Sequence, residues 1–273
     1  SLRGDGNAMW LGYDAANAGN VITNNFIDPV PVGFKGRLNY NELFVDIYYM
    51  KMLESGSLAR LAGGDIDLYG FNVDYWLSEE NLVNFYVGFM NDDVSVATGT
   101  KNYITIVGLG CDYFLLDKAL ELAGEVAVQF GKIDEYNTDT DLFSYALDLA
   151  ARYDFAEVNY KPWLELSVAL RGGEDDDADK TTAWQPLQEN NDKTLLVEGD
   201  DQLGLMGGGD LASGYYAIRL GGGATFTEKI SAYLLFAIFG DMADENAPGG
   251  NSLGVATDDN MIGFEIDNAP KPG

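Results

Sequence analysis

Carboxylate and guanidinium groups are the side chains of this chain best suited to chemistry. Its 273 residues include 44 Asp and Glu against 16 Lys and Arg, a formal net charge of −28, with no His and one Cys, Cys111. Without His there is no His-dependent catalytic triad and no His metal ligand. One Cys forms neither an internal disulfide nor a Cys-rich zinc site. The acidic balance argues against nucleic acid as a partner, because clustered Lys and Arg hold phosphates.

The charged residues lie on segments that alternate between apolar and polar positions. In residues 143–155 the odd positions, from Phe143 to Phe155, are apolar or aromatic, whereas the even ones include Asp148 and Arg152. Such strict alternation is typical of a strand with two different faces. The sequence predicts about eleven strands and no helix; the other strands are at 32–40, 43–53, 69–77, 83–90, 102–115, 120–131, 164–171, 214–226, 230–239 and 261–267.

The links between these strands alternate in length. Short links are predicted at 41–42, 78–81, 116–119, 156–161 and 227–229. Long polar links are predicted at 54–65, 91–101, 132–140, 172–213 and 240–260. In an up-and-down meander this places all short turns at one end and all long loops at the other, which is the plan of an outer-membrane barrel.

Alternation alone fits both an apolar face packed in a dry core and an apolar face in contact with lipid. The number of strands, their length and the aromatic residues near the short turns favour lipid. We therefore expect an all-β fold, an antiparallel up-and-down transmembrane β-barrel with 11–12 strands in this chain. The face opposite the apolar one then lines a pore, and its predicted pore-lining residues are Asp74, Asp112, Glu121, Glu125, Gln129, Asp148, Arg152, Glu165, Arg171 and Arg219.

Two interpretations of this charged set stand side by side. In the first it filters solutes by charge; in the second it is a network of salt bridges that satisfies buried charges. A water-filled lumen favours the filter, because solvated charges cost little there. Acidic residues outnumber basic ones at the predicted inward positions, which also include Asp154, Glu265 and Asp267. We therefore expect a preference for cations or neutral solutes.

Several motifs of the second half resemble the alginate-export family of bacterial outer-membrane porins. They are the acidic run Gly172–Lys180, Trp184-Gln185-Pro186-Leu187, Leu203-Gly204-Leu205-Met206-Gly207, the hairpin 216–239 and Ile262–Asp267. The resemblance implies an outer-membrane channel of about eighteen strands, in contact with lipid and lipopolysaccharide, that passes a polysaccharide or another hydrophilic solute. Because the early strands of that pattern are lacking, residues 1–273 are expected to be one barrel domain, truncated at both ends, of a larger even-numbered barrel.

The acidic loop offers the one cofactor that the sequence suggests. Asp175, Asp177 and Asp179 have a spacing that suits Ca²⁺, which takes carboxylate oxygens. No Gly and distal Glu follow at EF-hand positions, so a solvated acidic loop is the favoured interpretation. Nothing in the spacing of the acids selects a catalytic pair, and no enzyme is predicted. The alternative to a channel is a surface barrel that captures a ligand or partner with loop 172–213.

Overall fold

Antiparallel strands make up almost all the regular structure of the computed structural model. It describes residues 32–54, 65–95, 100–135, 138–175, 180–184, 214–227, 230–242 and 261–269. No helix in these ranges is long and apolar enough to cross a membrane. The strands are β1 (Val32–Tyr40), β2 (Leu43–Glu54), β3 (Asp65–Trp76), β4 (Leu82–Ser95), β5 (Thr100–Leu115), β6 (Leu120–Glu135), β7 (Thr138–Asp154), β8 (Trp163–Arg171), β9 (Lys180–Thr181), β10 (Tyr215–Thr227), β11 (Ile230–Asp241) and β12 (Met261–Ala269).

Eleven of these strands follow one another in a single sheet in chain order. The order is β1 through β8, then β10, β11 and β12, with each strand antiparallel to the next. The prediction of an all-β, up-and-down antiparallel fold is confirmed. The short β9 leaves this path and pairs in parallel with β7, and the sequence analysis did not predict it.

Two of the predicted long links are wrong. The sequence analysis ended strands where polar residues begin, at 91–101 and 132–140, but the structure leaves only 96–99 and 136–137 between the strands. Asp92 pairs with Asn102, and Lys132 pairs with Asp141. The physical reason is that a ladder needs only backbone N–H and C=O groups, so pairing continues past the point where the side chains turn polar.

The two faces of the sheet differ sharply in exposure. Phe143 on one face is 61% exposed, whereas Glu125 on the other face is 2% exposed. We call the face of Phe143 the apolar face and the face of Glu125 the polar face. Every main strand from β1 to β11 carries an exposed large apolar side chain, among them Phe34, Ile47, Phe71, Phe85, Leu109, Val126, Leu149, Leu166, Leu220 and Phe236. The exposed face of the sheet is therefore largely apolar, whereas the covered face mixes buried charged and polar side chains with buried apolar clusters such as Tyr48, Met50 and Leu68.

Glycines on the polar face make room for aromatic rings from the neighbouring strand. Gly70 is paired in register with Tyr48, and Gly108 with Tyr86. A Cβ atom added at Gly108 would lie 2.1 Å from the ring of Tyr86. The ring thus crosses β5 directly above Gly108, which is a cross-strand contact that only glycine permits.

The short turns contain backbone conformations that L-residues adopt rarely. Leu116, Asp117 and Lys118 have φ angles of 52°, 53° and 72°. A hydrogen-bonded ion pair between Lys118 and Glu80 joins this turn to the turn after β3, and the Glu80 carboxylate raises the pKa of Lys118. This ion pair thus links two successive short turns at this end of the sheet.

The glycine contacts predict unequal effects of two Gly→Ala substitutions. Gly108→Ala should lower the free energy of unfolding by about 1–3 kcal/mol, because its Cβ displaces the buried ring of Tyr86. Gly36→Ala is the control, since an added Cβ there meets nothing within 4 Å. Urea unfolding in detergent, followed by tryptophan fluorescence, measures both variants. Equal stability of the two would contradict the packing of Tyr86 over Gly108.

Candidate functional site

The structure places the described members of the predicted pore-lining set on the polar face. Asp74, Arg152 and Glu165 are half-buried. The remaining members are buried, and they are Asp112, Glu121, Glu125, Gln129, Asp148, Arg171 and Arg219. Glu265 pairs in register with Ala237 and Asp267 with Leu235, but their side chains lie outside the described part.

The centre of the polar face is a buried group of charged side chains on β6, β7 and β8. The hydroxyl of Tyr86 donates a hydrogen bond of 2.6 Å to Glu125 Oε1. Arg171 Nη2 lies 2.7 Å from Asp148 Oδ2. Glu125 and Asp148 are paired in register, so two carboxylates stand side by side on adjacent strands. The phenol and the guanidinium each satisfy one of them, which offsets the cost of placing like charges together.

Arg171 is held by more than its carboxylate partner. Its Nη1 donates to the carbonyl oxygens of Leu147 and Leu170, at 3.3 and 3.0 Å. The guanidinium carbon lies 5.7 Å from the centre of the Tyr215 ring, within the range of a cation–π interaction. Arg171 therefore has one fixed position in the polar face.

Three polar atoms on β7 and β8 have no protein hydrogen-bond partner among the described residues. They are Ser144 Oγ, Ser167 Oγ and Arg171 Nε. A buried polar atom without a partner is costly, so such atoms normally hydrogen-bond to water or to a ligand. These positions of the polar face are therefore chemically suited to contact water or a hydroxyl-bearing solute.

A second charged group on β1 and β2 was missed by the sequence analysis. Asp46, which is buried, accepts hydrogen bonds of 2.6 and 2.5 Å from Arg37, and Lys35 Nζ lies 3.1 Å from it. The sequence did hold the signal. Folding the chain about the predicted turn 41–42 places Arg37 opposite Asp46 in register, but the alternation in these two strands is weaker than in β6 and β7.

An amide and carboxylate network extends the polar face across β3 and β4. Asn72 Nδ2 and Asn84 Nδ2 donate to Asp74 Oδ1 at 3.0 and 2.7 Å, and Asn84 also donates to Asn72. Of these residues only Asp74 was predicted, because the sequence analysis considered charged groups first. Uncharged amides contribute equally to a polar wall.

Charged residues that lie opposite each other in register are not always the residues that form hydrogen bonds. Arg152 lies opposite Glu165 in register, yet it donates hydrogen bonds to Asp154, the shortest of 2.9 Å. Its guanidinium carbon lies 4.6 Å from the Trp163 ring centre. Among the side chains that the structure describes, acids outnumber bases on the polar face. The acids are Asp46, Asp74, Asp112, Glu121, Glu125, Asp148, Asp154 and Glu165, and the bases are Lys35, Arg37, Arg152, Arg171 and Arg219.

The base of the predicted loop 172–213 is built around Gly172. The N–H of Gly172 donates to the Tyr145 carbonyl oxygen at 2.9 Å, and its own carbonyl oxygen accepts from Trp184 N and Gly214 N, at 2.8 and 2.9 Å. A Cβ atom added at Gly172 would lie 2.4 Å from Ser144 Oγ. One glycine therefore ties β7, the end of β8 and both described ends of this loop together.

Glu174 is the titratable group at the base of this loop. Burial raises its pKa, while hydrogen bonds from the backbone N–H groups of Thr182, Ala183 and Asp175 act in the opposite direction. The bond from Thr182 N to Glu174 Oε1 is 3.3 Å long. Hydrogen bonds thus join Glu174 to Thr182 and Ala183, which follow β9.

The described residues do not test the calcium prediction. Asp175 is exposed, and Asp177 and Asp179 lie outside the described part of the chain. No group of three or more metal-ligating side chains occurs within the described ranges.

A scan against models of known protein families finds no match, and a search of curated proteins finds none either. The resemblance to alginate-export porins therefore depends on the sequence motifs alone.

The buried Arg171–Asp148 pair predicts that one substitution has a large effect on stability. Asp148→Asn should lower the free energy of unfolding by about 3 kcal/mol, because it leaves the buried charge of Arg171 without its carboxylate. Asp141→Asn is the control, since Asp141 and Lys132 are both exposed and 3.9 Å apart, a kind of pair that contributes about 0–1 kcal/mol. Urea titrations of the two variants in parallel measure the difference. If Asp148→Asn lowered the free energy of unfolding by less than the control does, the Arg171–Asp148 pair would not behave as a buried ion pair.

Glu174 predicts a dependence of stability on pH. Its pKa in the folded protein is raised above the ordinary value of 4.5, so its contribution is fully present below about pH 4.5 and is lost as pH rises through the folded pKa. Glu174→Gln should remove this decline, because an amide accepts the Thr182 hydrogen bond without titrating. Unfolding free energies of both proteins, measured between pH 4 and pH 7, give the comparison. A decline of the same size in the variant would assign it to other groups.

Proposed function

We propose that this chain forms the wall of a bacterial outer-membrane channel for hydrophilic solutes. The observation that carries the proposal is the exposed apolar face combined with buried charges: large apolar side chains are exposed on one face, whereas Glu125, Asp148 and Arg171 are buried on the other. A protein in water gains stability by covering apolar surface, at about 25 cal/mol per Å². Apolar side chains on the exposed face of every main strand from β1 to β11 instead suit a lipid environment.

The size of the apolar face supports lipid over water as its surroundings. Soluble proteins rarely expose contiguous apolar patches above a few hundred Å². Here the exposed residues contact one another across neighbouring strands: Val126 is paired in register with Leu109, and the ring centres of Phe71 and Phe85 lie 5.9 Å apart. A surface of this extent in water would drive aggregation, whereas acyl chains solvate it.

Aromatic residues border the apolar face at two levels. Near the short turns lie Tyr75, Tyr113, Tyr160 and Phe226. Towards the other end a row of rings runs from Phe34 through Tyr49 and Tyr69 to Phe89, with centres 5.0–6.2 Å apart. Aromatic girdles at two levels are the signature of the two membrane interfaces.

The spacing of the two levels fits a bilayer. Tyr103 and Tyr113 are both exposed on β5 and stand ten residues apart. At about 3.3 Å per residue this is roughly 33 Å along the strand, or about 25 Å across the membrane for the usual strand tilt. This matches the apolar band of outer-membrane barrels, about 25 Å.

The polar face suits a hydrated passage for neutral or cationic solutes. It combines carboxylates, amides and hydroxyls with buried polar atoms such as Ser144 Oγ, which has no protein partner among the described residues. The excess of acids over bases repels anions and attracts cations. The motifs shared with alginate-export porins suggest a polysaccharide as solute, and the acidic wall favours an uncharged one over a polyanion.

A planar lipid bilayer tests this proposal. The purified protein should produce ion conductance, with a reversal potential in a KCl gradient that indicates cation preference. Glu165→Lys should reduce this preference, because it reverses a charge on the polar face. Glu157→Lys, in the exposed turn between β7 and β8, is the matched control and should leave the selectivity close to that of the unmodified protein. Absence of conductance, or anion preference of the unmodified protein, would contradict the proposal.

A further inference from the structure

One level of the apolar face carries charged and polar side chains, and we call it the charged row. In-register pairing across seven strands aligns its members, which are Lys51, Asp67, Asn91, Tyr103, Lys132, Asp141 and Lys180. Side chains of residues paired in register lie on the same face of a sheet. All seven are half-buried or exposed. The charged row is therefore one continuous line along the outside of the sheet.

The next level towards the short turns is an aromatic row. Its members, again paired in register, are Phe34, Tyr49, Tyr69, Phe89, Phe130 and Phe143, with Thr105 as the one non-aromatic member. From this row to the short turns, no described residue on the apolar face of β2 to β7 is Asp, Glu, Lys or Arg. The charged row thus marks the edge of the apolar band.

The shape of this edge indicates what lies against it. The boundary is one residue high and crosses seven strands at a constant level. A protein partner would instead cover a compact patch of about 800 Å². A long, narrow boundary between apolar and charged side chains suits a planar lipid layer, with acyl chains on one side and headgroups on the other.

The short strand β9 adds a base to one end of the charged row. β8 stops pairing with β7 at Ala146, and β6 covers the other edge of β7 along its whole length. β9 pairs with the free edge beyond the end of β8 and places Lys180 beside Asp141. Lys132 stands beside Asp141 on the other side. Two bases therefore flank one acid at this end.

The pair Lys132 and Lys180 can converge on one anionic group. Their Cα atoms are two strand spacings apart, about 10 Å, which two long lysine side chains can bridge. Asp141 compensates them only weakly, since its Oδ1 lies 3.9 Å from Lys132 Nζ and both side chains are exposed. A surplus of positive charge among the described side chains here contrasts with the net charge of −28 of the whole chain.

The other end of the charged row lacks such a surplus. Lys51 is the one base there, and it stands beside Asp67. The Asp67 carboxylate accepts a hydrogen bond of 2.8 Å from the hydroxyl of Tyr49 in the aromatic row. One base therefore faces one acid, and the end at β6, β7 and β9 is the better place for an anion.

Exposed rings lie directly beneath the two lysines. Phe130 precedes Lys132 by two residues on β6, and Phe143 follows Asp141 by two residues on β7, so each ring is roughly 7 Å further into the apolar band. The two rings are 45% and 61% exposed. This part of the surface thus offers cations and apolar rings at neighbouring levels, which suits a ligand with an anionic headgroup and acyl chains.

We propose that Lys132 and Lys180 bind a phosphate group of lipopolysaccharide, with its acyl chains against Phe130 and Phe143. This inference rests on the proposed function, because it takes the apolar face to be in contact with lipid. An ammonium group binds phosphate as a compact point charge. The long links lie at the outer side in the plan of an outer-membrane barrel, and lipopolysaccharide is the phosphorylated lipid of that leaflet.

Native mass spectrometry of the full chain in detergent tests this site. Phosphorylated lipid A should bind more tightly than dephosphorylated lipid A, a comparison that needs no variant. Lys132→Gln with Lys180→Gln should weaken binding of phosphorylated lipid A about tenfold, since each exposed ion pair contributes modestly. Lys118→Gln with Lys161→Gln, in exposed short turns, is the matched control and should leave binding unchanged. Arg at both positions 132 and 180 should retain it.

The other outcomes overturn the inference. They are equal binding of the two forms of lipid A, equal binding by the two pairs of Gln variants, or phosphatidylglycerol that binds as tightly as lipid A and depends on the same lysines. A dimer that Lys132→Gln with Lys180→Gln dissociates would assign this surface to a second copy of the chain.

The test separates this inference from the channel. Binding in detergent requires no conduction, and the two lysines lie on the apolar face, so their substitution should leave conductance in planar bilayers unchanged. Absence of conductance with intact, phosphate-dependent binding of lipid A overturns the channel alone. Conductance without phosphate-dependent binding overturns the lipid site alone.

Discussion

The pleat of the β-strand is the constraint on which the whole structure depends. Successive side chains must point to opposite faces, so a chain that alternates apolar and polar residues separates them as soon as its strands pair. The register then sets the contacts: Glu125 meets Asp148, Arg37 meets Asp46 and Tyr86 crosses Gly108. A slip by one residue would exchange the faces of an entire strand. The buried polar contacts and the exposed apolar surface are therefore two consequences of one geometric rule.

On the polar face, each large or charged group requires a particular small or charged neighbour. The ring of Tyr86 reaches Glu125 only because Gly108 lacks a side chain, and Trp184 fits only because alanines face each other on β6 and β7. Arg171 is held by Asp148, two carbonyl groups and Tyr215. Such mutual dependence explains how a wall rich in charges keeps a defined shape, because desolvated charges are stable only in partnered positions.

The sequence predicted the strands and their two faces well because alternation acts locally and was strong in β6, β7 and β8. It misjudged the links 91–101 and 132–140, since polarity marks where an apolar band ends rather than where pairing ends. Lys35, Arg37 and Asp46 were missed where alternation was weak. The position of Trp184 could not be predicted, because its hydrogen bond to Gly172 and its packing against alanines of β6 and β7 join residues that are distant along the chain. Periodicity carries no information about such contacts.

The surroundings of the apolar face are tested most directly by spin labels at neighbouring positions of one strand. In a Cys111→Ser background, single cysteines at Leu164, Glu165 and Leu166 of β8 carry nitroxides in the protein reconstituted into lipid vesicles. Labels at 164 and 166 should collide mainly with oxygen, which dissolves in acyl chains. The label at 165 should collide mainly with a water-soluble nickel chelate. Preference for the chelate at 164 and 166, with protection at 165, would show that the apolar face is not in contact with lipid.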